Sequence, residues 1–257
     1  MMAMTTSNSI SVNPDRPGLA VVFAAPVAQC SCTVRMTSRR VGTFKANFVK
    51  IPALPTFAPR RPRLKTLMLL WREKIPADWL PRVLANLPAV LVDHAHLERK
   101  AATTAINLEK FRDLYPHVDE LNTIAIEELQ HFQLVLGLLK ERGIPFGQPH
   151  PSPWITGLMR SIRQGTRQQV IDHLICCAFI EGRSCEKFQM LAAELKPIDP
   201  GLAKFYATLV ESEGNHYATY LLLARRIDEA ETERRMDFYL DFEANLIREP
   251  HTLPILH

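Results

Sequence analysis

Long apolar runs are missing from this chain of 257 residues. Stretches such as Ile175–Ile180 fall far short of the roughly 20 consecutive apolar residues that a membrane-spanning helix needs, so no membrane partner is expected. Cysteines are few and odd in number. Cys30, Cys32, Cys176, Cys177 and Cys185 include an adjacent pair that would face different sides of a helix, which argues against a disulfide framework and for a reducing compartment. Cys30 and Cys32 have no second pair to complete a tetrahedral zinc site. No glycine-rich phosphate loop is present, nor any succession of alternating strands. Acidic residues are nearly absent before residue 73, where Asp15 stands alone among scattered arginines and lysines. That composition suits a transit peptide, an upstream stretch read from too early a start, or a basic arm that touches nucleic acid. A disordered leader over residues 1–66 is the expectation, on a cytoplasmic protein, or an organellar one if the leader is a transit peptide.

Beyond the leader the chain is rich in amphipathic helix. Pro52, Pro55, Pro59 and Pro62 interrupt any periodicity, and after about residue 66 long segments with apolar residues at spacings of three and four succeed one another. An ordered domain is therefore expected over 67–257. Four stripes stand out. The first is Leu84, Leu87, Leu91, His94, Glu98, Ala101, Ala105 and Leu108; the second is Leu121, Ile124, Glu128, His131, Val135 and Leu138. The third is Val170, Leu174, Cys177, Glu181, Ser184, Phe188 and Leu191; the fourth is Leu202, Tyr206, Leu209, Glu213, His216, Tyr220 and Leu223. Gly143 and Pro145 punctuate the end of the second helix, Thr166 with Gln169 predicts a capping box for the third, and Asp199-Pro200 predicts the start of the fourth. A fifth helix is expected from about Asp228 to Arg248. The link holding Pro145, Pro149, Pro151 and Pro153 is long enough for a crossover between two antiparallel hairpins. The fold class is thus all-α: a ferritin-like four-helix bundle with a long crossover and an additional C-terminal helix.

Each stripe carries a glutamate into the expected core. An ionised carboxylate buried without a partner would rather become neutral, so four of them demand compensating cations, and metal ions supply these. Two helices add a histidine three residues on, as Glu128-Leu-Gln-His131 and Glu213-Gly-Asn-His216, which puts both side chains on one face. Glu98 and Glu181 complete the set used by di-iron and di-manganese carboxylate bundles. Four carboxylate charges balance two divalent ions, with two neutral imidazoles completing the shells; the donor types alone leave iron and manganese equally served. Glu127, Glu186 and Glu211 lie close to the favoured positions but off the stripes. His94, one turn before Glu98, is a candidate to support the site or a satisfied core histidine. Asp93 and Asp172 are candidates to orient ligand histidines, or surface groups.

At these residues the chain resembles the MiaE family of tRNA hydroxylases. The segments that carry the resemblance are Leu91–Ala102 (LVDHAHLERKAA), Glu127–His131 (EELQH), Phe179–Glu186 (FIEGRSCE) and Ser212–His216 (SEGNH), in the same order over roughly residues 75–250. Phe-Ile-Glu-x-Arg-Ser-Cys-Glu is not a ferritin signature. By position the resemblance implies Glu98, Glu128, His131, Glu181, Glu213 and His216 as ligands of two non-haem iron ions. It further implies dioxygen as cosubstrate, an external electron donor as partner, and tRNA bearing 2-methylthio-N6-isopentenyladenosine beside the anticodon as substrate. Phe179, Ile180 and Leu209 would then line a prenyl pocket or simply pack the core. Arg160, Arg163 and Arg167, with Arg60, Arg61, Arg63 and Lys65 before the domain, are candidate phosphate contacts or solvated faces. The competing expectations are another ferritin-like di-metal protein, either a ferroxidase or iron store or a peroxide scavenger, and a metal-free helical scaffold. The peroxide scavengers of rubrerythrin type usually carry a Cys-x-x-Cys module, which this chain lacks.

Overall fold

The computed structural model describes residues 71–257, all within one unit, Pro62–His257. The leader, with Cys30, Cys32, Arg60, Arg61, Arg63 and Lys65, and the expected boundary at residue 66 lie outside the described residues. Every element described is helical. In chain order they are α1 (Trp79–Leu84), α2 (Leu87–Leu108), a 3-10 turn (Arg112–His117), α3 (Val118–Glu141), α4 (Pro153–Arg160), α5 (Thr166–Glu194), α6 (Pro200–Ile227) and α7 (Glu229–Arg248). None of these helices is long and apolar enough to cross a membrane.

Helices α2 and α3 pack as one hairpin and α5 and α6 as another, with α4 lying in the crossover between them and α7 against α4, α5 and α6. The four stripes meet in the middle: Leu91, Ala105, Leu121, Val135, Leu174, Phe188, Tyr206 and Tyr220 are all buried. The helix ends obey the expected chemistry. Gly143 sits at a φ of 65° past α3, its N–H and that of Ile144 reaching back to the carbonyls of Lys140 and Leu139, as a left-handed glycine cap allows. Asp199 caps α6, its carboxylate accepting from the Leu202 N–H at 3.0 Å with Pro200 in the first turn.

Three expectations need correction. Leu84 does not begin the first bundle helix but ends α1, because the ring of Pro88 would clash with the carbonyl four residues back and forces the chain to restart at Leu87. The cap of α5 is Gly165, at a φ of 101° that suits glycine, so Thr166 is the first helical residue and not the cap. The proline-rich link is not irregular throughout: Pro153 starts α4, capped by the Ser152 hydroxyl accepting from the Ile155 N–H at 3.1 Å.

Two buried ion pairs tie α7 to the bundle. Arg183 on α5 grips Glu243 with both Nε and Nη2 at 2.8 Å; neither side chain is exposed, and Trp154 Nε1 also donates to Glu243. Asp172 on α5 is likewise fully buried and accepts from Arg235 on α7 and from Arg163. After α7 the chain turns back inward: Leu256 N–H donates to Asp93 at 2.8 Å and its carbonyl accepts from Trp79 Nε1 at 3.1 Å. Removing one partner of such a pair strands the other charge in the core. Glu243→Ala should therefore lose about 3–5 kcal/mol of stability, read as a lowered denaturation midpoint, whereas an exposed partner such as Glu233 on α7, changed to Ala, should shift it by less than about 1 kcal/mol.

Candidate metal centre

Each bundle helix delivers its glutamate to the same point. Glu98 from α2, Glu128 and His131 from α3, and Glu213 from α6 place one donor atom each within 4.8 Å of one another; so do Glu128, Glu181 from α5, Glu213 and His216. The two sets share Glu128 and Glu213, so two groups that could each hold an ion adjoin through these carboxylates. All six side chains are buried.

The imidazoles are held with one face toward the cluster. The Ser212 hydroxyl donates its single proton to the Leu209 carbonyl at 2.8 Å, so at 3.3 Å from His131 it accepts from Nε2–H. His216 donates Nε2–H to Glu127 at 2.8 Å. Both histidines thereby turn Nδ1 inward, the nitrogen that is bare whenever the imidazole is neutral: that of His131 lies 3.3 Å from Glu98 and 3.6 Å from Glu128 and Glu213, and that of His216 lies 2.6 Å from Glu128. None of these contacts is a formed hydrogen bond. Nδ1 of both histidines, Glu128 Oε1 and Glu213 Oε1 are buried without a hydrogen-bonding partner. Buried acceptors facing one another in this way fit two shared cations bound by oxygen and imidazole nitrogen.

Electrostatics points the same way. Burial and the neighbouring Glu98 raise the Glu128 carboxyl, burial and Glu128 push Glu213 well above the usual carboxylate range, and the same two causes push Glu181 up to about 7. Burial would lower His131 and His216, yet the facing carboxylates, Glu128 and Glu98 in one case and Glu127 and Glu128 in the other, push each up to about 10. Glu98 alone goes down: its burial is outweighed by the imidazoles of His94 and His131. A site that draws protons onto both its bases and its acids is short of positive charge.

Of the expected supporting residues, His94 reaches Glu98, with Nε2 at 2.5 Å from Oε1. Asp93 and Asp172 orient neither histidine. Asp93 accepts from the Leu256 backbone, while Asp172 lies nine residues before Glu181, about 13 Å along α5, held by two arginines. The orienting roles fall to Ser212 and Glu127. Glu127 lies off the stripe of α3, which is why it reaches across to α6 instead of inward. Arg163 spends its guanidinium on Asp172 and Glu231, Arg167 bonds the Ile227 carbonyl and is exposed, and Arg160 is exposed.

A cavity of about 320 Å³ opens from the cluster. Glu98, Glu128, Glu181 and Glu213 form its floor, Leu97, Ile155, Met159, Ile180, Phe188 and Leu256 supply apolar walls, and the exposed Lys100, Thr103 and His150 lie at its mouth. Of the three residues that could line a pocket or pack the core, Ile180 lines the cavity, while Phe179 packs against Trp71 and Tyr239 and Leu209 is core.

A ferritin-like helical bundle built around a paired carboxylate and histidine site is the class of protein that these features define. The chain belongs to the family whose model is described as tRNA-(MS[2]IO[6]A)-hydroxylase (MiaE), which matches residues 63–257. It is similar to the tRNA 2-(methylsulfanyl)-N(6)-isopentenyladenosine(37) hydroxylase of Pseudomonas putida strain KT2440, at 37% identity over 177 residues, covering 68% of this chain and 85% of that protein. The Salmonella typhimurium LT2 protein of the same name is 37% identical over 133 residues, covering 52% of this chain and 48% of its own length. Among solved structures, one described as protein 43 with aldehyde deformylating oxygenase activity from Synechococcus superposes with a TM-score of 0.67 at 33% identity. That match covers 73% of this chain and 94% of the other.

Two measurements probe the cluster. In the metal-free protein, the folded-state value of about 7 for Glu181, against an ordinary 4.5, means that its stabilisation is complete below pH 4.5 and is lost as pH rises through 7. Glu128 and Glu213 shift in the same direction. Thermal denaturation with chelator should therefore show falling stability from pH 5 to pH 8, and a divalent metal should restore it. Glu127→Gln, which weakens the hold on His216, should cost about 10–100-fold in metal affinity, measured by competition with a chromogenic chelator.

Proposed function

We propose that this protein is a tRNA-modifying non-haem di-iron monooxygenase. Its substrate would be the isopentenyl group of 2-(methylsulfanyl)-N6-isopentenyladenosine beside the anticodon, with dioxygen as cosubstrate and electrons from an external donor. The observation that carries the reading is the shared-carboxylate cluster lying at the floor of an apolar-walled cavity, in a chain of this family. The oxygenase described for the Synechococcus structure supports oxygen chemistry on the same bundle.

Glu98, Glu128, His131, Glu181, Glu213 and His216 would hold the two irons, which when bound supply the oxidising power that an unactivated C–H bond requires. The chain's own residues do the rest. Leu97, Ile155, Met159 and Phe188 would receive the prenyl chain and exclude water from the reacting carbon. Lys100 and His150 at the mouth would meet the more polar nucleotide, and the exposed Arg160 and Arg167 are the remaining candidates for its phosphates. Arg163 is the weakest such candidate, because its donors are already satisfied by carboxylates. Glu127 and Ser212 would keep both histidines in the Nε2–H tautomer, leaving Nδ1 to bind.

Nucleoside mass spectrometry tests the reading. Iron-loaded protein, a chemical reductant and ¹⁸O₂ are incubated with tRNA carrying the methylsulfanyl-isopentenyl nucleoside. One ¹⁸O atom should appear on that nucleoside, with none detected for Glu181→Ala. Loss of reductant and oxygen with no oxygenated nucleoside would refute the tRNA assignment.

A further inference from the structure

Beyond α7 the chain brings His257 into the core, where it forms a wall common to two cavities. One is the cluster cavity. The other, about 180 Å³, is lined by Trp79, Arg82, Trp154, Lys187 and Arg248 among others. His257 is 3% exposed and stacks on Trp154, with ring centroids 5.4 Å apart and an interplanar angle of 16°. Lys187, on α5, lines the second cavity and not the first; Ser184, also on α5, lines the cluster cavity and not the second.

A hydrogen-bonded chain joins them. Lys187 Nζ lies 3.2 Å from His257 Nδ1, and His257 Nε2 lies 2.9 Å from Ser184 Oγ. An ammonium group only donates, so Nδ1 accepts from Lys187 and Nε2–H donates to the hydroxyl. Ser184 stands one turn beyond Glu181 on the same helix face. No carboxylate pairs with Lys187 among the described residues. Its ammonium instead sits over the rings of Trp79 and Trp154, at 5.4 and 5.6 Å. A buried lysine without a carboxylate partner is costly, and here the two rings and the His257 hydrogen bond hold it.

We propose that Lys187, His257 and Ser184 form a proton relay from the second cavity to the cluster cavity. The proposal rests on the hydroxylase reading, because that reaction consumes protons: R–H + O₂ + 2 e⁻ + 2 H⁺ gives R–OH + H₂O, the electrons coming from an external two-electron reductant. With the nucleotide closing its mouth, the cavity is cut off from bulk water and needs another route for those protons. In each transfer the Lys187 Nζ–H bond breaks as Nδ1–H forms on His257. The Nε2–H proton passes to Ser184 Oγ, and the hydroxyl's own proton leaves to a water in the cluster cavity. Lys187, then a neutral amine, regains a proton from water in the second cavity, and a turn of the imidazole and of the hydroxyl restores the Nε2–H donor before the second proton follows. The groups facing Lys187 are Arg183 and Glu186 on its own helix, Glu243 on α7, Asp93 on α2, and His251 and His257 after α7. Burial, with Arg183 beside it, pushes the ammonium down to about 7, where it both holds and releases a proton near neutrality.

The test compares Lys187→Met and His257→Gln with the unaltered iron-loaded protein. Both variants should lose about 10²-fold in kcat, the lower end of general acid–base contributions, with KM for tRNA unchanged and a larger solvent deuterium isotope effect. Reductant should be consumed without matching product. A mere wall would give the opposite split, a raised KM with the isotope effect unaltered, and that result would overturn the relay. A second readout needs no turnover: in the diamagnetic zinc-loaded protein, ¹⁵N-histidine NMR should show His257 with Nδ1 bare and Nε2 protonated, and its Nδ1 resonance should move in Lys187→Met. A protonated Nδ1 would also overturn it. If the unaltered protein leaves the tRNA untouched, the hydroxylase reading fails, and the zinc-protein spectrum still decides whether the hydrogen-bonded chain exists.

Discussion

Four glutamates crowd into two adjoining groups, each less than 5 Å across, at the centre of an apolar bundle, and the rest of the structure is arranged around that concentration of negative charge. Carboxylates so close in a medium of low polarity either take up protons or hold cations. The arrangement suits cations. Two imidazoles turn Nδ1 inward because Ser212 and Glu127 engage the opposite nitrogens, and Glu128 and Glu213 belong to both groups that could hold an ion. Helix α4 and the segment after α7, which add nothing to the cluster, complete the cavity's apolar wall with Ile155, Met159 and Leu256.

The six cluster residues were legible in the sequence because helical periodicity sorts side chains by face. A glutamate at a core position of each of four helices is conspicuous, and the stripe rule chose Glu128 over Glu127 and Glu213 over Glu211. The two-hairpin topology could be read from link lengths. What periodicity could not reveal was whatever depends on one helix reaching another. Glu127 is off the stripe of its own helix, so periodicity set it aside as a ligand and gave no sign that it would bond His216. Asp172 stood as either a support for the cluster or a surface group, and it is neither: it is buried against Arg235 of α7. Helix α4 was masked by the prolines that in fact start it, and Pro88 broke a stripe that ran unbroken on paper.

The buried ion pairs show the same division between local and distant information. Arg183 lies two residues after Glu181 in the segment that carries the family resemblance, yet its partner Glu243 is sixty residues away on α7. Together with Asp172 and Arg235 it fixes α7 against α5, and the tail that leaves α7 then returns to Asp93, Trp79 and Ser184. The far end of the chain is in this way coupled to the cluster cavity, which accounts for a histidine at the last position being buried beside the site.

The central claim is that the six residues bind two metal ions through shared carboxylates. X-ray absorption at the iron edge of the iron-loaded protein tests it most directly. The account predicts two irons per chain, oxygen and nitrogen neighbours only, and an iron–iron scattering path within about 4 Å. A single iron per chain, or sulfur in its first shell from Cys177 or Cys185, would contradict it.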